Sequence, residues 1–358
     1  MILHDVDAVV LVGGQGTRLR PLTLSCAKPL LPTAGVPFLV HLLSRLREAG
    51  VRHVVLGTSY LAETFVERFG DGASLGLELE YVSEPEPLGT GGGIRNVARR
   101  LRTPDVLVFN GDVLAGTDLV SVVGAHRAAK ADVTLHLVRV PDPRAYGCVP
   151  TDEVGRVLAF LEKTEDPPSD QINAGCYVFR REVIEAIPAD RPVSVERETF
   201  PSLLAAGASI RGHVDGSYWR DFGTPFDLVQ GSADLVRGLA PSAALPGPAG
   251  EALVLAGAAV APNAVVIGGT TIGAGCVVSE GARLDGALLF DQASVGAGAV
   301  VERSVLGVGA RVHAGAVVRD SVIGDRAVVG ERCELGSGIR IWPDVVLPAC
   351  GVRFSAGV

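Results

Sequence analysis

The stretch Ala8-Val9-Val10-Leu11-Val12-Gly13-Gly14-Gln15-Gly16-Thr17-Arg18-Leu19-Arg20-Pro21-Leu22 passes directly from an unbroken apolar run into a glycine-rich loop. An apolar run of this kind is typical of a strand that is covered on both faces, as in a parallel sheet. Open α/β sheets bind ligands just beyond the carboxyl ends of their strands. Glycines let backbone N–H groups approach a phosphate closely, and Arg18 can close over it. The stretch therefore predicts a parallel-sheet domain with an anion-binding loop.

Two familiar phosphate-binding loops do not fit this stretch. A Walker A loop requires Gly-Lys-Ser or Gly-Lys-Thr after its first glycine, and that sequence is absent. A dinucleotide fingerprint requires a third glycine where Leu19 stands and an acidic residue about twenty positions further on, and Ala34 to Leu46 contains none. Both classes are excluded.

Short β-branched runs alternate with helix-length amphipathic segments through the first two-thirds of the chain. Val36 to Ala49 has apolar residues at helical spacing and ends at Gly50, which predicts a helix. Further predicted strands are Val54–Thr58, Leu77–Val82, Val106–Phe109, Val133–Val140 and Gly175–Phe179. This alternation predicts a doubly wound, mainly parallel α/β domain over residues 1–236.

A repeat follows a linker at 237–252 that is rich in Ala, Pro and Gly. Aliphatic residues recur there at steps of six or five, at Val260, Val266, Ile272, Val278, Leu284, Val295, Val301, Leu306, Val312, Val318, Ile323, Val329, Leu335, Ile341 and Leu347. One inward aliphatic residue per step predicts a parallel β-helix with three short faces over residues 253–358. Flat faces and an open end make it a candidate surface for homo-oligomers.

The composition narrows the possible partners and location. The net charge is −8 and no Lys/Arg-rich run occurs, so a nucleic-acid-binding surface is not expected. No secretory leader or bilayer-length apolar run is evident, so we expect a cytoplasmic protein without a membrane partner. Six scattered cysteines lack any C-x-x-C pair, which favours a reducing compartment and argues against a zinc site.

Lysine usage is unusual, because the chain has only three lysines among its 32 basic residues. Lys130 lies in an ordinary helix-like stretch, whereas Lys28 and Lys163 lie in motifs dense in Gly, Pro and carboxylates. A lysine is a compact point charge that suits a single phosphate oxygen, whereas an arginine is a planar fork. We therefore predict that Lys28 and Lys163 contact phosphates.

More motifs follow the glycine-rich loop, in the order Lys28-Pro29-Leu30-Leu31-Pro32, Glu84-Pro85-Glu86-Pro87-Leu88-Gly89-Thr90-Gly91-Gly92, Asn110-Gly111-Asp112, Tyr146-Gly147, Glu162-Lys163, Asn173-Ala174-Gly175 and Trp219-Arg220-Asp221-Phe222-Gly223-Thr224-Pro225. This series resembles the signature of the sugar-1-phosphate nucleotidyltransferases, and the resemblance covers nearly the whole chain. Within that family, Ser194 to Pro201 and the appended β-helix look most like the guanylyltransferases that use mannose-1-phosphate. The family's β-helices imply a left-handed coil here.

The resemblance implies a reaction and a role for each motif. An oxygen of a sugar-1-phosphate attacks the α-phosphorus of a nucleoside triphosphate, pyrophosphate leaves, and Mg²⁺ is the cofactor. Arg18, Lys28, Asp112 and Asp221 are the implied catalytic residues, and both aspartates are the implied metal ligands. The implied nucleotide-binding residues are Gly13, Gly14, Gly16, Thr17, Arg18, Lys28, Glu84, Gly89 and Thr90. The implied sugar-phosphate-binding residues are Gly147, Glu162, Lys163 and Asn173.

Glu84 bears on the choice of nucleotide. It matches a position where thymidylyl- and uridylyltransferases of the family commonly have Gln. Guanine presents two adjacent donors that one carboxylate can accept, whereas uracil and thymine present a donor between two acceptors. Glu84 therefore favours GTP, and GDP-mannose is the leading product.

Other functions remain open at this point. One is thymidylyl or uridylyl transfer to glucose-1-phosphate, since Ala27 and Thr164 stand where the family usually has proline. Another is a non-catalytic regulatory paralogue that binds sugar nucleotides, although such proteins tend to lose the charged residues that this chain keeps. The β-helix has a single histidine, His313, in an ordinary turn step, so we expect a surface residue and not the base of an acyltransferase.

Overall fold

The computed structural model describes residues 2–84, 86–161, 165–245, 247 and 250–352. The chain forms two compact units. The first consists of Met1–Gly14 and Leu42–Trp219, and the second of Gln15–His41 and Arg220–Val358. The glycine-rich loop is thus divided after Gly14, and its remainder belongs to the same unit as the C-terminal repeats.

The elements alternate as the sequence predicts. The strands of the first two-thirds are β1 Val6–Leu11, β2 Pro32–Thr33, β3 Val36–Pro37, β4 His53–Thr58, β5 Glu78–Ser83, β6 Asp105–Asn110, β7 Val113–Ala115, β8 Val133–Arg139, β9 Gln171–Arg180, β10 Ile210–Asp215 and β11 Trp219–Asp221. The α-helices are α1 Phe38–Ala49, α2 Ala62–Phe69, α3 Gly89–Asn96, α4 Leu119–Ala129, α5 Arg181–Ala186, α6 Phe200–Ala205 and α7 Pro225–Val236. Short 3₁₀ turns occupy Thr17–Leu19, Leu22–Leu24 and Lys28–Leu30, and a π turn occupies Val195–Thr199.

A seven-stranded sheet with the order β10-β8-β9-β6-β1-β4-β5 organises the first unit. β1 pairs in parallel with β4 and β6, as its apolar run predicts. β9 is antiparallel to both β6 and β8, so the sheet is mainly and not wholly parallel. Strand β10 was not predicted, because its sequence Ile210-Arg211-Gly212-His213-Val214-Asp215 has few apolar residues to mark it.

The predicted helix from Val36 starts later than expected. Val36 and Pro37 belong to strand β3, which pairs antiparallel with β2, and α1 begins at Phe38. At the other end the prediction is accurate, because α1 ends at Ala49 and Gly50 follows with a φ of +100°. Glycine adopts that backbone conformation without strain.

The repeats of the second unit form three parallel sheets. Their strands are β12 Ala252–Val254, β13 Ala259–Val260, β14 Val265–Ile267, β15 Thr270–Ile272, β16 Val277–Val278, β17 Arg283–Asp285, β18 Leu288–Leu289, β19 Ser294–Val295, β20 Val300–Glu302, β21 Val305–Leu306, β22 Arg311–Val312, β23 Val317–Arg319, β24 Val322–Ile323, β25 Val328–Val329, β26 Glu334–Leu335, β27 Arg340–Ile341 and β28 Val346–Leu347. Leu288 pairs with Val305 one coil further on.

The sheet orders are β12-β15-β18-β21-β24-β27, β13-β16-β19-β22-β25-β28 and β14-β17-β20-β23-β26. The predicted inward aliphatic residues are buried from Ile272 to Leu335 and half-buried at the two ends of the coil. This arrangement confirms a parallel β-helix and is consistent with the left-handed form. Helix α7 precedes it and begins with a capping box in which Thr224 and Asp227 bond each other's backbone N–H groups.

Several simpler expectations can be compared with the described residues. All six cysteines are free; four are buried, Cys26 is half-buried and Cys350 is exposed. His313 is exposed in the β-helix, as predicted. Among the residues described, no helix is long and apolar enough to cross a membrane.

Candidate active site

Gly111 fixes Asp112 at the ligand-binding edge of the sheet in the first unit. The Gly111 N–H donates to the carbonyl oxygen of Leu11, the last residue of β1, over 2.9 Å. A Cβ on Gly111 would lie 2.6 Å from that same oxygen, so only glycine allows the approach. Asp112 is the next residue, directly after the carboxyl end of β6. The Asn-Gly-Asp motif thereby holds a half-buried carboxylate beside the end of β1.

Gly13 makes a second close approach at the end of β1. The Ser59 hydroxyl donates to the Gly13 carbonyl over 2.6 Å, and a Cβ on Gly13 would lie 2.8 Å from the Ser59 Oγ. Apart from its two chain neighbours, no atom of the described residues lies within 4 Å of the place that a Cβ on Gly14 would take. Gly13 is thus required by packing, whereas Gly14 faces open space.

The rest of the loop lies in the second unit, where Gly16 and Lys28 come together. Gly16 has a φ of +59°, and its carbonyl accepts a 2.8 Å hydrogen bond from Thr23 Oγ1. A Cβ on Gly16 would meet the Cβ of Lys28 at 3.0 Å. The lysine side chain therefore packs directly on the loop, as its predicted phosphate contact requires.

Arg18 and Asp221 also meet in the second unit. The place of a Cβ on Gly223 lies 3.0 and 3.1 Å from the two terminal nitrogens of Arg18 and 3.1 Å from a carboxylate oxygen of Asp221. Both charged groups therefore face Gly223, and any side chain at that position would displace them. Thr17 and Arg18 form the 3₁₀ turn that follows Gly16, which aims the guanidinium.

Glu84 occupies the entrance to helix α3 in the first unit. Its Oε2 accepts a 3.1 Å hydrogen bond from the Leu88 N–H, and its Oε1 lies 2.6 Å from where a Cβ on Gly93 would be. Burial raises the pKa of the Glu84 carboxyl, and the Leu88 hydrogen bond only partly offsets this. Glu84 is thus a half-buried carboxylate whose one oxygen is already bonded, not an exposed loop residue.

Thr90, predicted to bind the nucleotide, has a structural partner. Its hydroxyl donates to Glu196 Oε2 over 3.0 Å and accepts from the Val195 N–H over 2.9 Å. Gly89 has a φ of +70°, and a Cβ there would lie 2.7 Å from the Val193 carbonyl oxygen. The Ser194–Pro201 motif therefore supports the start of α3, a role that the sequence did not reveal.

The predicted sugar-binding residues are only partly described. Gly147 has a φ of +78° and follows Tyr146, whose ring meets Trp219 edge-on with centroids 5.3 Å apart. The Asn173 amide donates to the Tyr177 hydroxyl over 2.7 Å and accepts from the Gly175 N–H over 3.0 Å. Glu162 and Lys163 lie outside the described residues.

The predicted residues are divided between the two units. Gly13, Gly14, Glu84, Gly89, Thr90, Asp112, Gly147 and Asn173 belong to the first, and Gly16, Thr17, Arg18, Lys28 and Asp221 to the second. The structure brings Gly16 against Lys28, and Arg18 and Asp221 to Gly223.

Asn110 is a polar residue for which no role was predicted. In the part of the chain that the structure describes, its side-chain oxygen is buried without a hydrogen-bond partner. Buried polar atoms normally have partners, so an orphan two residues before Asp112 marks a candidate ligand contact. Its position in the Asn-Gly-Asp motif was the available signal.

The donor chemistry of the predicted metal ligands suits Mg²⁺. Mg²⁺ prefers oxygen and usually takes one or two protein carboxylates, with water and substrate phosphates completing its shell. Asp112 and Asp221 are both carboxylates, so each fits this donor preference. Among the described residues, one cluster of three side chains could also chelate a cation, namely His53, Glu78 and Glu80. Arg102 already bonds both of those glutamates, so that cluster is an ion-pair network.

Comparison with known proteins identifies the family. Residues 7–238 match the nucleotidyl transferase family model, and residues 249–355 match the GMPPB C-terminal domain. The chain belongs to the nucleotidyl transferase family. It is 64% identical to mannose-1-phosphate guanylyltransferase of Mycobacterium tuberculosis over 100% of both chains. The predicted resemblance to this family, and to its mannose-1-phosphate guanylyltransferases, is confirmed.

More distant relatives support the same family assignment. The catalytic subunit beta of mannose-1-phosphate guanylyltransferase from Drosophila pseudoobscura pseudoobscura is 36% identical over 76% of this chain and 72% of its own. The structure of HddC from Yersinia pseudotuberculosis complexed with GMP-PN aligns with a TM-score of 0.57 and 28% identity, covering 64% of this chain and 99% of that one. This nucleotidyltransferase thus combines the family's catalytic fold with a β-helix.

Proposed function

We propose that this nucleotidyltransferase converts GTP and mannose-1-phosphate into GDP-mannose and pyrophosphate. The observation that carries the proposal is 64% identity to a mannose-1-phosphate guanylyltransferase over the full length of both chains. The charged motif residues Arg18, Lys28, Asp112, Lys163 and Asp221 are all present in this chain. The packing of Lys28 on Gly16 and the position of Arg18 at Gly223 support it, because each places a cation beside glycine backbone that a phosphate can approach closely.

The chemistry requires no protein nucleophile. An oxygen of the sugar phosphate, already an anion, forms a bond to the α-phosphorus of GTP. The bond from that phosphorus to the bridging oxygen of the β-phosphate breaks, and pyrophosphate leaves with the electron pair. Catalysis consists mainly of positioning and of neutralising two polyanions that repel each other. Arg18 and Lys28 hold the triphosphate, and Lys163 holds the sugar phosphate.

Asp112 and Asp221 would hold Mg²⁺ in this proposal. When bound, the ion would neutralise phosphate charge and orient the α-phosphate. The sugar would be read by Gly147, Glu162 and Asn173. Since the Asn173 amide is already bonded to Tyr177 and Gly175, its remaining hydrogen-bonding capacity is one N–H donor and one carbonyl lone pair.

The proposal is tested by pyrophosphate release from the purified protein with Mg²⁺. A grid of GTP, dTTP, UTP, ATP and CTP against mannose-, glucose- and N-acetylglucosamine-1-phosphate should show its maximum at GTP with mannose-1-phosphate. A maximum elsewhere would favour thymidylyl or uridylyl transfer. If a folded protein that still binds GDP-mannose releases no pyrophosphate with any of these substrate pairs, the regulatory paralogue would be favoured.

The role of Glu84 in reading guanine is tested by Glu84→Gln. An amide keeps one acceptor but replaces the other with a donor, so kcat/KM for GTP should fall about tenfold or more relative to UTP. The start of α3 is preserved because Gln can still accept from the Leu88 N–H. An unchanged GTP to UTP ratio would assign base recognition to the backbone.

Two further proposals concern assembly and location. Exposed valines on the β-helix, among them Val254, Val277 and Val346, support a homo-oligomer formed through that domain. Light scattering coupled to size exclusion would give its size, and a monomer at micromolar concentration would contradict it. Six free cysteines support a cytoplasmic location.

A further inference from the structure

Three strands of one β-helix sheet, β18, β21 and β24, are buried on both of their faces. In β18, β21 and β24 the second residue points into the coil, yet the first residues, Leu288, Val305 and Val322, are buried as well. Strands of the other two sheets leave at least one residue partly or fully exposed, as in β16, where Val277 is exposed. The outer face of the sheet β12-β15-β18-β21-β24-β27 is therefore covered along β18, β21 and β24, and it has a packing function there, whereas β12 and β27 at its two edges have exposed residues.

The segment that carries Arg18 and Lys28 is attached beside this sheet at its N-terminal coil. Gly35, at the tip of the β2–β3 hairpin, has Leu255 Cδ2 only 2.9 Å from where its own Cβ would be. The Ala34 N–H donates to Ser232 Oγ over 2.9 Å, and that hydroxyl lies 3.2 Å from Thr271 Oγ1 in β15. The hairpin that follows Lys28 is therefore anchored to the first coils.

The same segment is attached a second time, near the C-terminal coil. Arg340, in β27, donates from a guanidinium nitrogen to the Arg20 carbonyl over 2.8 Å. Ser25 Oγ donates to Asp325 Oδ2 over 3.0 Å. Asp325 is itself fixed, because its other oxygen accepts from the Val308 N–H over 2.9 Å. Burial, and then the charge of Asp325, raises the pKa of the neighbouring Cys26 thiol to about 11.

These attachments fall between the two phosphate-binding residues. Arg18 precedes Arg20 by two positions, and Lys28 follows Ser25 by three. The segment between them consists of 3₁₀ turns, which are short and hold few backbone hydrogen bonds of their own. A chain of this kind loses conformational entropy when it is ordered, and external contacts that order it in advance lower the cost of binding a ligand.

We propose that Arg340 and Asp325 of the β-helix are positioning residues for the triphosphate loop, acting through the Arg20 carbonyl and the Ser25 hydroxyl. The proposal rests on the assignment of Arg18 and Lys28 to the triphosphate made above. The β-helix then orders the segment from Arg18 to Lys28 before the nucleotide binds. This ordering favours GTP binding and has no effect on the sugar-phosphate residues of the first unit.

The test is steady-state kinetics of the full-length protein in three variants. Arg340→Met keeps the aliphatic stem and loses the donor, Ser25→Ala loses the hydroxyl, and the double variant loses both attachments. We expect KM for GTP to rise about three- to tenfold in each single variant and further in the double, as expected for one lost hydrogen bond from a charged or hydroxyl donor. KM for the sugar phosphate should stay within about twofold. Arg340→Lys, which keeps a donor, should restore most of the GTP affinity.

A matched control comes from the same surface. Arg326 lies next to Asp325 and bonds Asp344 through two nitrogens at 2.7 and 2.8 Å, within the β-helix. Arg326→Met removes an exposed arginine of the same coil and should leave both KM values and kcat unchanged. Thermal unfolding of every variant separates positioning from stability, since a purely structural role would lower Tm without a selective change in KM for GTP.

Two outcomes would overturn the proposal. One is an unchanged KM for GTP in the double variant, and the other is an equal change in both KM values accompanied by a fall in Tm. A further variant, Arg18→Met, separates this failure from that of the proposed function. If Arg18→Met raises KM for GTP while the double variant does not, the positioning role of Arg340 and Asp325 is wrong and the assignment of Arg18 to the triphosphate stands. If neither variant changes it, the assignment itself is wrong.

Discussion

The amino ends and the carboxyl ends of the strands in the seven-stranded sheet carry different kinds of residues. At the amino ends of β1, β4 and β5, charged side chains of Asp7, His53, Glu78 and Glu80 bond to one another and to Arg102. At the carboxyl ends of β1 and β6, glycines bring backbones into close approach beside Asp112. The amino ends therefore carry charged side chains that pair with one another, whereas the carboxyl ends carry Asp112 beside glycine backbone.

The amino-end network is closed among its own members. His53 bonds Asp7 Oδ1 at 3.0 Å and Glu80 Oε1 at 3.2 Å, and the second Asp7 oxygen accepts from the Arg102 and Thr103 N–H groups. Asp7 and His53 are both buried. Buried charges that satisfy one another stabilise a fold only as a set, because removing one leaves the others unpaired. We therefore expect substitutions here to change stability and substitutions at the carboxyl end to change turnover.

The largest effect should come from Asp112→Asn at the carboxyl end. The change keeps shape and removes a charge, so kcat should fall by about 100-fold or more, while Tm stays within about 3 °C. The measurement is pyrophosphate release with saturating GTP, mannose-1-phosphate and Mg²⁺, alongside thermal unfolding. Near-normal kcat would remove Asp112 from the site, and a large fall in Tm would place it with the structural charges of the other end.

Asp7→Asn at the amino end is the matched isosteric change and should have the opposite signature. It removes the carboxylate charge and turns one acceptor position into a donor, facing either the His53 ring or the two N–H groups, so the free energy of unfolding should drop by about 2–3 kcal/mol. The kcat of the folded protein should stay within about twofold. Urea denaturation with activity measured well below the transition would test both. A selective loss of kcat would contradict the division between the two ends.

Gly111→Ala should have the third-largest effect, and it should lower both turnover and stability. A methyl group 2.6 Å from the Leu11 carbonyl must push the Asn-Gly-Asp turn outwards, at a cost of about 1–3 kcal/mol in stability. Because Asp112 moves with the turn, kcat should fall about tenfold. The control is Gly124→Ala, inside α4, where no atom of the described residues lies within 4 Å of the new Cβ, its own helix backbone and chain neighbours aside. That variant should be neutral or slightly stabilised, by up to about 1 kcal/mol. Equal behaviour of the two variants would show that the close approach is unimportant.

Features that depend on neighbouring residues could be predicted from the sequence. The apolar run of β1, the glycines after it and the six-residue period each carry their structure in neighbouring residues, and the structure agrees with them. The sequence could not show that Thr90 bonds Val195 and Glu196, because that contact joins residues about a hundred positions apart. The paired aliphatic residues Leu288-Leu289, Val305-Leu306 and Val322-Ile323 were a visible signal of strands buried on both faces. Only the fold, however, shows Arg340 at the Arg20 carbonyl.

The smallest expected effect is a pH dependence of the amino-end network. Burial alone would lower the pKa of His53, but its hydrogen bond to Asp7 and the charge of that carboxylate outweigh it, so the pKa is raised from 6.5. Burial would raise the pKa of Asp7, and the hydrogen bonds from His53 and the Arg102 N–H outweigh that, so it is lowered. A raised histidine pKa contributes stability that is fully present below pH 6.5 and is lost as the pH rises through the folded value.

The free energy of unfolding of the wild type, relative to His53→Gln, should therefore fall as the pH is raised from about 6 to about 9. Urea titrations at closely spaced pH values would measure this difference, with His313→Gln on the exposed surface of the β-helix as the control. The control should match the wild type at every pH. Because Asp112 takes no part in this network, kcat of His53→Gln should follow that of the wild type throughout. A difference that grows with pH would mean that His53 is neutral in the folded protein and that its charge does not stabilise the amino-end network.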